Sequence, residues 1–221
     1  MKFKAGDKVD SEHCVALSHE FFRCEDAFME FEVFAWSLIS KGQNKWVAYR
    51  AYNAYSRFIH SLYEFLLGAR LREHGVTRDN ANEDELDAYA MMQAQRILES
   101  RRSDIVKGLA PDWENSLNDF PASVPPDFAK DFRRHRNKLS GHVTYERASK
   151  MSLTEFYRSY HKFVHMLYHD AAMHWSQHRK EEFPELGEVT KFSVLFENQK
   201  KPPATAMAAE QSGLRGGLGR T

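Results

Sequence analysis

The chain has 221 residues, enough for one compact domain with a short appendage and for burial of about 70% of the unfolded surface. Its 31 Lys and Arg balance 31 Asp and Glu, which excludes a globally basic coat for nucleic acid, so an anion site must come from local clustering. A hydrophobic content of 42% with 16 Phe, 9 Tyr and 4 Trp excludes a disordered or collagen-like chain, and no run approaches the roughly 18 apolar residues of a membrane span.

The N-terminal stretch MKFKAGDKVDSEH lacks the apolar core of a secretory leader. Leu17, Phe21, Cys24, Phe28, Phe31, Ala35 and Leu38 then recur at steps of three and four, which predicts a helix from about Ser11 to Lys41, ended by Gly42. Cys14 and Cys24 both fall on it, about 15 Å apart at about 1.5 Å per residue, too far for a disulfide. With no CxxC pair either, no thiolate zinc site is expected, and the expected compartment is a reducing cytoplasm.

From about Asn44 to His74 the pattern is apolar around most of the circumference, through Tyr49, Tyr52, Tyr55, Phe58, Ile59, Leu62, Tyr63, Phe65 and Leu66, and reads as a central, mostly buried helix. Its polar residues Arg50, Arg57, Ser61 and Glu64 lie within a stripe about 60° wide, which is either a solvated edge or the wall of a polar cleft. The acidic cluster Asp79, Glu83, Asp84, Glu85 and Asp87 suits a helix N-terminus and predicts a third helix over about Glu83 to Lys107. A loop between Pro111 and Pro126, with one helical turn near Trp113, leads to a shorter helix from about Asp127 to Leu139.

Ser152 and Glu155 form a capping-box pattern ahead of an amphipathic run through Phe156, Tyr160, Phe163, Val164, Leu167, Ala171 and Trp175, reaching about Arg179. Phe192, Val194 and Phe196 alternate with polar residues, a strand signal without a partner. The glycines at 42, 75, 108 and 141 are evenly spaced but share no flanking signature, so they read as helix stops rather than as a repeat. The expected fold is all-α: a bundle of four to five long antiparallel helices over 1–197, with 198–221 a disordered tail.

Arg133 to Lys150 carries six Lys or Arg against one Glu, the kind of cluster that meets a phosphate-bearing ligand. Within it, Arg136, Asn137, Lys138, Leu139, Ser140, Gly141 and His142 place an Arg-Asn pair and a His with five residues between Arg and His. By composition alone, about two to three Arg-to-His matches are expected by chance in this chain, and one is present at Arg158 and His165 in mid-helix. Requiring Asn directly after Arg lowers the expectation to about one in ten. Arg136 also falls on the last turns of a predicted helix, while Ser140 and Gly141 release the backbone before His142.

This segment resembles the signature of the HEPN superfamily, whose members are dimerising helical bundles and in many cases metal-independent ribonucleases of toxin-antitoxin and antiviral defence systems. The resemblance implies an endoribonuclease that needs no cofactor and no metal, with RNA as partner, a homodimer, and an antitoxin or defence-system component as a further partner. Arg136, Asn137 and His142 are the implied catalytic set. Arg133, Arg134, Lys138 and Arg147 would bind substrate, with Glu64 and Arg57 in support. Where subfamilies controlled by a nucleotidyltransferase place Tyr two residues after the His, this chain has Thr144, which speaks against control by adenylylation.

RNA transesterification needs a base for the 2'-hydroxyl, charge stabilisation at phosphorus and an acid for the 5'-oxygen. His142 transfers protons near neutral pH, the Arg136 fork binds two phosphate oxygens, and Asn137 would orient one or the other. The alternative is a non-catalytic helical module, a degenerate HEPN fold, that binds RNA, a nucleotide or an acidic protein through the same cluster; failing both, RNKLSGH is simply a basic, Gly-capped helix end. His161, His165 and His169 form an i, i+4, i+8 row, with His174 and His178 on another face, but HExxH is absent and no acidic third ligand is fixed by spacing, so structural histidines are expected there.

Overall fold

The computed structural model describes residues 1–78, 80–140 and 151–176, with positions 187, 189, 191, 192 and 194. The chain divides into two compact units, residues 1–184 and 185–221. The first is all-α, with helices α1 (Lys8–Lys41), α2 (Lys45–Glu73), α3 (Glu83–Val106), α4 (Phe128–Ser140) and α5 (Leu153–Trp175), and single 3-10 turns at Asp112–Glu114 and Leu117–Asp119. In the second, Gly187, Val189, Lys191, Phe192 and Val194 are helical. The strand expected through Phe192 and Val194 is therefore corrected to helix, which satisfies backbone groups within the segment where a lone strand leaves them open. Phe196 and the tail 198–221 lie outside the described residues, as does the end of the fifth helix expected at Arg179.

α1 begins three residues before the periodicity predicts because Asp7 caps it, its side chain accepting from the Asp10 N–H at 2.8 Å. Asp10 in turn is buried, accepts from Gly6 N–H and from Arg72 Nε at 2.8 Å each, and so ties the start of α1 to the end of α2. α3 starts in a full capping box between Asn82 and Glu85. At the head of α5 the Ser152 hydroxyl accepts from Glu155 N–H at 3.1 Å.

The helices surround one core. α1 and α2 form a long antiparallel hairpin in which Leu17 sits over Gly68 so closely that a Cβ there would meet its Cδ2 at 2.6 Å. Phe21, Phe28, Tyr55, Phe58, Phe65 and Tyr168 interlock across α1, α2 and α5. Phe128, Phe132, Phe156 and Tyr63 do the same across α4, α5 and α2. Each buried aromatic contributes about 2–3 kcal/mol by transfer from water.

Helix directions follow from these pairs. Tyr157 meets Tyr55, Tyr168 meets Phe58 and Trp175 meets Phe65, so α5 runs parallel to α2. Phe128 meets Phe163, Phe132 meets Phe156, and His135 reaches Ser152, so α4 runs antiparallel to α5. Past Phe31 and Tyr55, Val33, Trp36, Ile39, Trp46 and Tyr49 stand exposed among the described residues. The expectation that α2 is mostly buried therefore holds from Ala54 to Leu66 and not over its first two turns.

Candidate nucleic-acid site on helix α4

α4 divides its circumference between core and charge. Phe128, Ala129, Phe132 and His135 are buried, and the remaining face carries Lys130, Arg133, Arg134, Arg136 and Lys138. His135 Nδ1 donates to the Asp131 carbonyl at 2.8 Å and its ring lies 4.3 Å from that of Phe156. Burial pushes its pKa down, so the ring is a neutral strut between α4 and α5.

Arg136 is the positioned cation of the site. Its Nε and NH2 engage one carboxylate oxygen of Glu64 on α2, and its NH1 donates to Asn137 Oδ1 at 2.7 Å. The guanidinium carbon stands 5.8 Å from the Tyr63 ring centroid. These contacts use three of the five N–H donors of an Arg, and its side chain remains 31% exposed. The fork is thus oriented by a carboxylate and an amide with donors still available for a phosphate oxygen.

The other predicted residues separate. Arg133 is sealed against α3, paired with Asp87 at 2.8 and 3.0 Å and with Glu83 at 2.7 Å, and only 12% of its side chain is exposed. It ties two helices together and offers no free fork to a substrate. Arg134 is exposed and shares Asp131 across one turn at 3.3 Å. Lys138 is half-buried on the same helix. Arg57 turns the other way and, with Arg50, meets Glu30 on α1, while Ser61 is buried. Among the described residues of the motif, Arg136 is met by one member of the expected polar stripe, Glu64. His142 and Arg147 lie outside the described residues.

Carboxylates from α2, α3 and α4 therefore neutralise much of the positive charge that the sequence concentrates between Arg133 and Arg136. The Tyr63 ring stands 5.8 Å from the Arg136 guanidinium carbon, and His60 lies one turn before Glu64 along α2. Tyr63 Oη and His60 Nδ1 are both buried without a hydrogen-bond partner. Burial, with Asp87 adding to it, pushes the Tyr63 phenol up to about 12. No spacing rule marks either residue, since both look like members of an apolar helix.

The His row is packed structure. His161 Nδ1 faces the Tyr55 hydroxyl at 3.0 Å and its ring stacks on Tyr157 at 4.3 Å. His165 and His169 face each other through their Nε2 atoms at 2.9 Å. Among the described residues no three His, Cys, Asp or Glu side chains converge to hold a metal ion, and no helix there is long and apolar enough to cross a membrane. Comparison of the chain with protein-family models, with curated proteins and with solved structures returns no match.

Proposed function

We propose that this chain is a HEPN-like, metal-independent endoribonuclease in which Arg136 and His142 carry the chemistry on an RNA phosphodiester. The observation that carries the reading is the state of Arg136, a half-exposed guanidinium aimed by Glu64 and Asn137, with donors to spare, at the end of a helix whose sequence continues to His142. In this reading Arg136 binds the phosphate and stabilises the phosphorane, and His142 accepts the 2'-hydroxyl proton. Asn137 and Glu64 hold the Arg136 fork in place. Arg134 and Lys138 add positive charge along the same helix, and Arg147 is proposed to do so from the following segment. The product is a 2',3'-cyclic phosphate and a 5'-hydroxyl end. The proposal includes RNA as partner and the two-fold dimer and defence setting that the family resemblance implies.

The pairing of Arg133 and Arg136 with Glu83, Asp87 and Glu64 favours one other reading, a non-catalytic helical module whose basic residues mainly hold the bundle together. Incubation of the purified protein with mixed RNA in EDTA separates the two. New 5'-hydroxyl ends and cyclic phosphates are expected. Protection of RNA with no new ends would establish the binding module, and activity lost in EDTA but restored by a divalent ion would overturn the metal-free mechanism.

A further inference from the structure

Arg50 and Arg57 are the members of the polar stripe on α2 that the Arg136–Glu64 pair leaves without a role. At about 100° per residue, Trp46, Tyr49, Arg50, Asn53, Arg57 and Glu64 fall within about 100° of arc, one stripe about 27 Å long on the helix. Exposure follows the same period. Trp46, Tyr49, Arg50 and Arg57 are exposed and Asn53 and Glu64 half-buried, while Ala51, Tyr55, Phe58 and Leu62 turn to the core. Glu64 at one end holds Arg136 of α4. Arg50 and Arg57 lean to the other edge, where Glu30 and Phe34 of α1 stand.

The stripe is aromatic and cationic together. Trp46 is 66% exposed and Tyr49 55%, and their rings stack with centroids 5.5 Å apart and planes 24° from parallel. Large rings left in water side by side are the informative kind of exposure. Arg50 lies over the Phe34 ring, 4.2 Å from its centroid, and shares Glu30 with Arg57. Lys41 and Lys45, both exposed, flank the far end. Five cations therefore mark a path from the turn between α1 and α2 to Arg136, against the carboxylates of Glu30 and Glu64. In a chain with no net charge, this local excess matches a polyanion.

We infer that the stripe is the path of a single-stranded RNA whose bases stack on Trp46 and Tyr49 while its phosphates follow Arg50 and Arg57 to Arg136. The inference rests on the reading of Arg136 as a residue that binds an RNA phosphate, and it names the class of RNA that reaches it. Every base has a π-face, so two rings hold a strand without reading its sequence, and cations beside them track the backbone. A duplex keeps its bases stacked on one another and offers such rings nothing to hold. Glu30 sits between the two Arg side chains and competes with a phosphate for both.

The test measures, by fluorescence anisotropy in EDTA, binding of a 2'-O-methyl RNA of about eight nucleotides, which has no free 2'-hydroxyl to react, beside cleavage of the unmodified strand. The parent protein is expected to bind the single strand about 10-fold or more tighter than a duplex of the same sequence. Trp46→Ala and Tyr49→Ala should each weaken that binding about 5- to 100-fold with helix content unchanged. Trp113→Ala removes a still more exposed ring, on the 3-10 turn Asp112–Glu114, and should leave binding as it was. Glu30→Gln should strengthen binding, and Arg50→Gln combined with Arg57→Gln should flatten its dependence on salt. Parental affinity in Trp46→Ala and Tyr49→Ala beside a loss in Arg136→Gln overturns the stripe and leaves the role of Arg136 standing. Binding that depends on the stripe, with no cleavage of the unmodified strand, supports the path and overturns the ribonuclease. Equal affinity for duplex and single strand overturns the role of the rings. A parent dimer that becomes a monomer in Trp46→Ala with RNA binding untouched assigns the rings to a protein interface and overturns the inference. A parent protein that binds no RNA removes the stripe and the reading of Arg136 together.

Discussion

Arg136 presents a guanidinium already held along one edge, and its value to a phosphate depends on that hold. Arg136→Lys keeps the charge but not the fork, so RNA cleavage should fall about 100-fold or more with helix content unchanged. Glu64→Ala leaves the fork free to swing and should reduce kcat/KM by up to about 100-fold, although it removes a competing negative charge. A rise in activity in Glu64→Ala would mean that the carboxylate masks Arg136 rather than aims it. Both residues were visible in the sequence, Arg136 through the Asn and His around it and Glu64 as a polar exception on an apolar helix. Their pairing was not, because they lie 72 residues apart and only the packing of α4 on α2 joins them. The same separation hid the fate of Arg133, whose partners Asp87 and Glu83 read along the chain only as a helix-start cluster.

At the scale of elements, the helices were legible because their apolar residues keep the 3.6 period and their ends carry Asn, Ser and Gly. What local pattern misjudged were places decided by neighbours: Asp7 extending α1, and Phe192 and Val194 entering a helix despite their alternation. Gly75 shows how a helix end becomes a junction. It has φ +63, its carbonyl accepts from Phe3 N–H at 2.8 Å, and an added Cβ would lie 2.8 Å from the Phe3 carbonyl oxygen. Gly108 has a similar φ of +69 with nothing within 4 Å of that position. Gly108→Ala should cost about 1–2 kcal/mol from backbone strain alone. Gly75→Ala should cost about 1 kcal/mol more, because the N-terminal segment must also move off the end of α2. Urea unfolding of the two variants checks the order, and equal losses would mean that the N-terminal segment adds nothing to stability.

For the whole molecule, acid should act in two separate windows. Arg72, through its hydrogen bond, holds Asp10 at about 2, below its ordinary value of 3.8. That contribution is complete above pH 4 and is lost as pH falls through 2, so Arg72→Gln should remove only this lower step. The His row acts earlier and in the opposite electrostatic sense. Burial holds His161 at about 4 and His165 at about 4, with a neighbouring His adding to the shift in each, against about 6.5 in the unfolded chain. Between pH 6.5 and 4 the unfolded chain takes up protons that the folded bundle refuses, so stability is full above pH 6.5 and declines as pH falls toward 4. For His161, enclosed by Tyr55, Tyr157 and Phe31, the ceiling is about 3 kcal/mol. His165 is more open to solvent and contributes less. Urea unfolding midpoints at pH 7.5, 5.5 and 4.5 should therefore fall steadily in the parent. They should fall less steeply in His161→Gln, which keeps an acceptor for the Tyr55 hydroxyl but cannot be protonated. Equal slopes in the two proteins would show that His161 is charged or solvated in the native bundle and that α5 is not sealed against α1 and α2 at Phe31 and Tyr55.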